Sequence, residues 1–290
     1  MNRIFANIAL LITLGNILSG CSFAQLTVRA SMPMIEGGIT ALNHETDLQL
    51  AEAAFPPNIT LMEGMVVNDP YNSVLHEHLA QAYYGFAYGF IEDTDKQRAS
   101  QLYYRGLKHG FRALMSYDIT SDQITGTPDA LQSAINHISK DAINALFWTA
   151  SCWAKWVDMN RDKVESLAQM PKAVILMQRA LDIDESFFMG GPNLFFAIYY
   201  GSKPPMLGGD YTKSENYFKK ARSINNNKLL LVDLLQSQYL DRQLLNKEAF
   251  HTRLLKIINS PDNIYPEQAL ITMIAKQKAK LFLSMEDQWF

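Results

Sequence analysis

The apolar residues of this chain return every three or four positions instead of alternating. Leu75, Leu79, Ala82, Phe86 and Phe90 form one such stripe. Val174, Met177 and Leu181 form a second, and Leu231, Leu234, Leu235 and Leu240 begin a third. An α-helix gathers residues at that spacing onto one face, whereas a strand needs a period of two. Turn signals separate the stripes: Asn68-Asp69-Pro70, Gly126-Thr127-Pro128, Gly190-Gly191-Pro192 and Ser260-Pro261. No run fits a strand, so an all-α fold is expected.

A degenerate repeat lies inside this pattern. Leu79, Ala80 and Tyr83 are followed by Ala99, Tyr103 and Gly106. Ala173, Met177 and Ala180 repeat the four-then-three spacing, and Ala197 and Tyr200 precede Ser214, Phe218 and Ala221. Small residues let paired helices approach closely, while large ones fill the gaps between them. The arrangement resembles tetratricopeptide helix pairs, with irregular intervals and long insertions. The expectation is an irregular tetratricopeptide-like helical-hairpin repeat domain over residues 37–290.

The amino terminus carries a different signal. Met1-Asn2-Arg3 is a short positive start, Ile4 to Leu18 is an apolar run, and Leu18-Ser19-Gly20-Cys21 follows. This is the pattern of a lipoprotein signal peptide over residues 1–20, with Cys21 as the lipidated first residue of the mature chain. The run is shorter than the roughly 18 apolar residues of a membrane span. Ser22, where Asp would favour retention at the inner membrane, points to the periplasmic side of the outer membrane. Residues 21–36 are expected to act as a tether. The formal net charge is −3 and becomes slightly more negative once Arg3 is removed, which gives no electrostatic case for nucleic acid. With Cys21 acylated, Cys152 is the remaining cysteine. It sits among Trp148, Trp153 and Trp156, the setting of a buried structural thiol.

Signals for catalysis are sparse. His76-Glu77-His78 places two histidines two residues apart, on nearly opposite faces of a helix, where they do not share an ion. A half-exposed helix surface is the expectation there, with no metal and no cofactor. Glu92, Asp93 and Asp95 suggest a solvated loop between helices. Neither a nucleophile elbow nor a phosphate loop occurs, so no catalytic residue is assigned and an enzyme is not expected. Aromatic residues crowd two segments. One is Tyr83, Tyr84, Phe86, Tyr88 and Phe90, interleaved with Gly85 and Gly89; the other is Phe195, Phe196, Tyr199 and Tyr200. Glycines four apart in a helix suggest close approach by another backbone or by a ligand. The aromatic stripes face either the core or the wall of a cavity.

Residues 190–210 are the most unusual internal stretch. A helix lies between Gly190-Gly191-Pro192 and a longer loop that holds Pro204-Pro205, Gly208-Gly209 and Asp210. The prolines stiffen the loop, the glycines permit backbone shapes that other residues resist, and Asp210 is placed to cap the next helix. These loops, the Tyr199-to-Pro205 run and the Leu207-Gly208-Gly209-Asp210 sequence resemble the signature of the TatT family, the T components of tripartite ATP-independent periplasmic (TRAP) transporters. The resemblance extends from about Leu48 to the end and includes the 275–283 helix and Asp141 to Trp148. Ser214 departs from it mildly, standing where alanine is commoner.

The resemblance implies a helical lipoprotein working beside a periplasmic solute-binding protein and its membrane permease. It implies a cleft or pore for a small apolar or organic-acid solute, with Tyr83, Tyr84, Phe196, Tyr199, Tyr200 and Lys203 as candidate wall residues. Assembly into a homo-oligomer is left open. The alternative is a general protein-binding scaffold lipoprotein serving envelope assembly or secretion.

Overall fold

The computed structural model describes residues 23–290, and among them there is no strand. The expected leader 1–20 and the lipidation site Cys21 lie outside the described residues. The helices are α1 (Phe23–Asn43), α2 (Leu48–Asn68), α3 (Ser73–Phe86), α4 (Lys96–Met115), α5 (Ser121–Thr125), α6 (Pro128–Ile135) and α7 (Ile143–Met159). They continue with α8 (Val164–Leu167), α9 (Met170–Ile183), α10 (Phe187–Gly201), α11 (Tyr211–Ile224), α12 (Leu230–Gln236), α13 (Lys247–Asn259), α14 (Ala269–Ser284) and α15 (Glu286–Trp289). The all-α expectation holds.

Local chemistry sets several starts. Asp47, Asn72, Asp95, Thr127 and Asp210 each accept a backbone N–H from the first turn of the helix that follows. Such caps satisfy donors that have no partner within the helix. α1 begins inside the stretch expected to be a tether and runs unbroken past residue 36 to Asn43. Val28 is its one buried residue, and Arg29 reaches Asp69 at 3.0 Å.

The core follows the stripes. Leu107 and Leu114 of α4, Leu146 and Trp153 of α7, and Leu176 and Met177 of α9 belong to one cluster. α3, α4 and α7 approach closely because small residues meet at their crossings. A Cβ on Gly106 would lie 2.8 Å from the Cys152 sulfur and 3.1 Å from the Tyr83 Cβ, and one on Gly110 would collide with Thr149. Cys152 is fully buried, its thiol facing the Ala80 carbonyl at 3.5 Å, and burial pushes its pKa up. Ser214, the mild departure noted above, donates from its buried hydroxyl to the Ala197 carbonyl at 2.7 Å and so joins α11 to α10.

Two helices end in π turns, Ala87–Ile91 after α3 and Ser237–Asp241 after α12. A third irregularity lies in the first turn of α10: Phe188, Met189 and Gly190 all take left-handed φ values, 45°, 59° and 82°. For the two non-glycine residues this conformation costs on the order of 1–2 kcal/mol each. π turns and strained backbone recur where a helix has been bent to a task. All three flank the same internal space.

Candidate functional site

That space is a cavity of about 800 Å³. Ile35, Phe55, Trp148, Phe195, Leu235 and Ile274 line it, one residue from each of six helices, α1, α2, α7, α10, α12 and α14. Its volume lies in the range of sites that enclose small organic ligands, roughly 300–1,000 Å³. The wall is mainly apolar, with polar groups confined to a few places. Tyr88 and Tyr239, one on each π turn, both reach it, as do the strained Phe188 and Met189.

The candidate wall residues divide by helix face. On α10 and its C-cap, Phe195, Ile198, Tyr199 and Ser202 line the cavity. Their i, i+3, i+4, i+7 spacing defines one side of a helix. Phe196 and Tyr200 lie on the adjacent face, outside the wall. They pack on Tyr217 of α11, with ring centroids 5.5 and 6.0 Å away. On α3, Tyr84 lines the cavity and its neighbour Tyr83 does not. Tyr83 is buried toward α2 and α4, donating its hydroxyl to Glu63 at 2.5 Å under the Arg105 guanidinium. Successive helical residues point about 100° apart, which here turns Tyr84 to the cavity and Tyr83 to Glu63 and Arg105. Of the candidate wall residues, Tyr84, Tyr199 and Lys203 face the cavity, while Tyr83, Phe196 and Tyr200 lie in the packing behind it. Gly85 also lines the space, where a Cβ would meet the Phe55 ring at 3.5 Å; Gly89 makes room for the Ile274 side chain.

The signature loops shape this wall more than they form it. Gly191 and Leu207 line the cavity; Gly190, Pro192, Pro204, Pro205, Gly208, Gly209 and Asp210 do not. Gly190 lets α11 pass, since a Cβ there would sit 3.3 Å from the Ala221 Cα. Pro192 stands near the start of the regular part of α10. The Pro204 carbonyl accepts N–H groups from Leu207 and Gly209 at 2.9 and 3.1 Å, closing a 3-10 turn over Pro205–Leu207. Gly208 takes a left-handed φ of 84°, and a Cβ on Gly209 would collide with the Lys203 carbonyl. The Asp210 N–H returns to the Tyr200 carbonyl at 3.0 Å. The loop is thus tied back to the end of α10, and Lys203 leaves it with its ammonium 3.6 Å from the centre of the Tyr199 ring.

The acidic run corrects another expectation. Asp95 caps α4 at the surface, but Glu92 is buried and sits at the centre of an ion network. Its Oε2 accepts from the Tyr103 hydroxyl at 2.6 Å and lies 2.7 Å from Lys155, while its Oε1 accepts from Lys278 at 3.2 Å. Lys278 also donates to Asp93 at 2.5 Å. Burial raises the Glu92 pKa, but the two lysines and Tyr103 outweigh it and hold the carboxyl below its usual range. Lys155 is held well above its own: burial opposes the charge, and Glu92 overrides it. Lys155 lines the cavity beside Asp158 and Arg161, which pair with each other. Sequence reading missed this end because Lys278 stands 186 positions from Glu92.

His76-Glu77-His78 is likewise not a half-exposed surface. His76 and Glu77 are buried. The Pro70 carbonyl accepts from His76 Nε2 at 3.0 Å, which leaves Nδ1 to accept from His109 Nδ1 at 2.9 Å. Burial lowers the pKa of His76 and takes that of His109 to about 4. Burial pushes Glu77 up to about 7, against the opposing bond donated by Tyr117 at 3.1 Å. His78 lines the cavity, and burial favours its neutral form. Among the described residues no group of three or more His, Cys, Asp or Glu is arranged to hold a metal ion.

Among the described residues no helix is long and apolar enough to cross a membrane. A family model described as TRAP transporter T-component matches residues 44–290. No curated protein matches the chain.

Proposed function

The chain belongs to the TRAP transporter T-component family, and from that premise we propose a solute-bearing accessory that docks the transporter's periplasmic solute-binding protein. Its cavity admits a small apolar or organic-acid solute and passes it to or from the receptor. Acyl groups on Cys21 hold it to the periplasmic side of the outer membrane, several chains giving firmer anchorage than one. The observation that carries this reading is the apolar cavity itself, about 800 Å³ and walled by residues of helices from α1 through α14. An ordinary helical core is close-packed and leaves few voids larger than a water molecule. No bond is made or broken, and ion coupling belongs to the permease.

The test is to titrate the full-length protein with each solute-binding protein of the same cell, following heat and the fluorescence of Trp148 in the cavity wall. The reading predicts a saturable complex with one receptor, and a Trp148 signal that changes when the receptor arrives with solute. Binding to no solute receptor, together with capture of envelope-assembly or secretion proteins, would replace it with the scaffold reading.

A further inference from the structure

We propose that the solute is a monoanionic amphiphile, a single carboxylate on an apolar body, and that Lys203 is the residue that selects it. This rests on the reading that the cavity carries a solute. Four basic side chains line the cavity: His78, Lys155, Arg161 and Lys203. Burial keeps His78 toward its neutral form. Lys155 is matched by Glu92 at 2.7 Å, and Arg161 by Asp158. Among the described residues Lys203 has no carboxylate within ion-pair distance, so the cavity wall carries one uncompensated positive charge.

Lys203 is also held in place. Its ammonium rests on the Tyr199 ring, and its backbone is locked by the turn that Pro204, Gly208 and Gly209 close. The aromatic face steadies the cation without supplying a counter-anion. Ser202 lines the wall next to it and offers a hydroxyl. A carboxylate placed here gains a charge-assisted hydrogen bond from a donor whose ordering cost the loop has already met. From that point Leu194, Phe195, Ile198, Leu235 and Ile274 give an apolar lining for the rest of the molecule. A second carboxylate would have to enter that lining or compete for Lys155 and Arg161, which Glu92 and Asp158 already match. Burial of an unpaired charge is costly, so dianions are rejected.

The experiment uses the full-length protein in amphipol and three probes of matched chain length: dodecanoate, dodecanol and dodecanedioate. Affinities are read from Trp148 fluorescence, and the carboxyl environment from the 13C resonance of [1-13C]dodecanoate. The wild type is expected to prefer dodecanoate over both other probes. Lys203→Met should weaken dodecanoate by roughly tenfold or more, as loss of a hydrogen bond between charged partners does, and leave dodecanol unchanged. Lys203→Arg should restore dodecanoate binding and the shifted carboxyl resonance. Equal binding of acid and alcohol by the wild type, or unchanged acid binding in Lys203→Met, overturns this inference and leaves the solute-bearing reading standing. Failure of the wild type to bind any probe overturns this inference and removes support from the solute-bearing reading as well.

Discussion

Replacing Glu92 by Gln should destabilise the protein by about 3 kcal/mol, at the lower end of the range of about 3–5 kcal/mol for breaking a buried ion pair. Glu92 is 5% exposed at its side chain, Lys155 12% and Lys278 3%, so water cannot replace what is lost. The carboxylate uses both oxygens as acceptors: Oε2 for Tyr103 and Lys155, Oε1 for Lys278. Glutamine has one acceptor oxygen, and its NH2 group would face a lysine ammonium in either orientation. At an effective dielectric near 20, charges 2.7 Å apart attract by about 6 kcal/mol, much of which offsets the cost of burying them. The remaining partners moderate the loss, since Lys278 keeps Asp93 at 2.5 Å and Lys155 keeps Asp158 at 3.9 Å. The assay is urea unfolding followed by tryptophan fluorescence, with Lys278→Gln and the double variant completing a cycle. The two single losses should be far from additive. A Glu92→Gln loss below about 1 kcal/mol would refute the reasoning, because it falls within what an exposed pair contributes.

Three further outcomes are expected. Glu77 titrates near 7 in the folded protein, above its ordinary value of 4.5, so the native state binds the extra proton between those two values and loses stability as pH rises through them. Glu77→Gln should therefore gain on the wild type across that window, by up to about 3 kcal/mol above pH 7, in urea midpoints measured at several pH values; a difference independent of pH would contradict it. Burial of His109, which lowers its pKa to about 4, gives the opposite slope between about 4 and 6.5 in both proteins, so the difference between them isolates Glu77. Ala154→Phe fills cavity space from α7 and should weaken dodecanoate and dodecanol alike by roughly tenfold, at a stability cost of about 1–3 kcal/mol, as seen by fluorescence titration beside circular dichroism. Gly209→Ala drives a methyl group into the Lys203 carbonyl and should weaken dodecanoate much more than dodecanol, the reverse of a general loss of fold.

Much of the fold was legible because helical stripes and small residues are local patterns. Gly106 stands where the spacing asked for a small residue, and the structure brings the Cys152 sulfur and the Tyr83 Cβ against it. The site was legible in part. Tyr84, Tyr199 and Lys203 face the cavity and Tyr83, Phe196 and Tyr200 do not, a division that aromatic crowding alone does not reveal because it carries no direction. Helical phase would have separated them: Phe195, Ile198, Tyr199 and Ser202 share a face, and Phe196 and Tyr200 share the next. The ion network was hidden for a different reason. Glu92 resembles a surface loop acid until Lys155 and Lys278 arrive from helices far along the chain. His109 was silent for the same cause, since its partners Glu63 and His76 lie on other helices.

The central claim is that the cavity carries a solute, and native mass spectrometry of the full-length protein taken from its own cells tests it most directly. The account predicts a released small amphiphile bearing a single acidic group, bound at one per chain and lost in Ala154→Phe. A protein whose mass is that of the chain and its covalent modifications alone, and which takes up no added acid or alcohol, would contradict it.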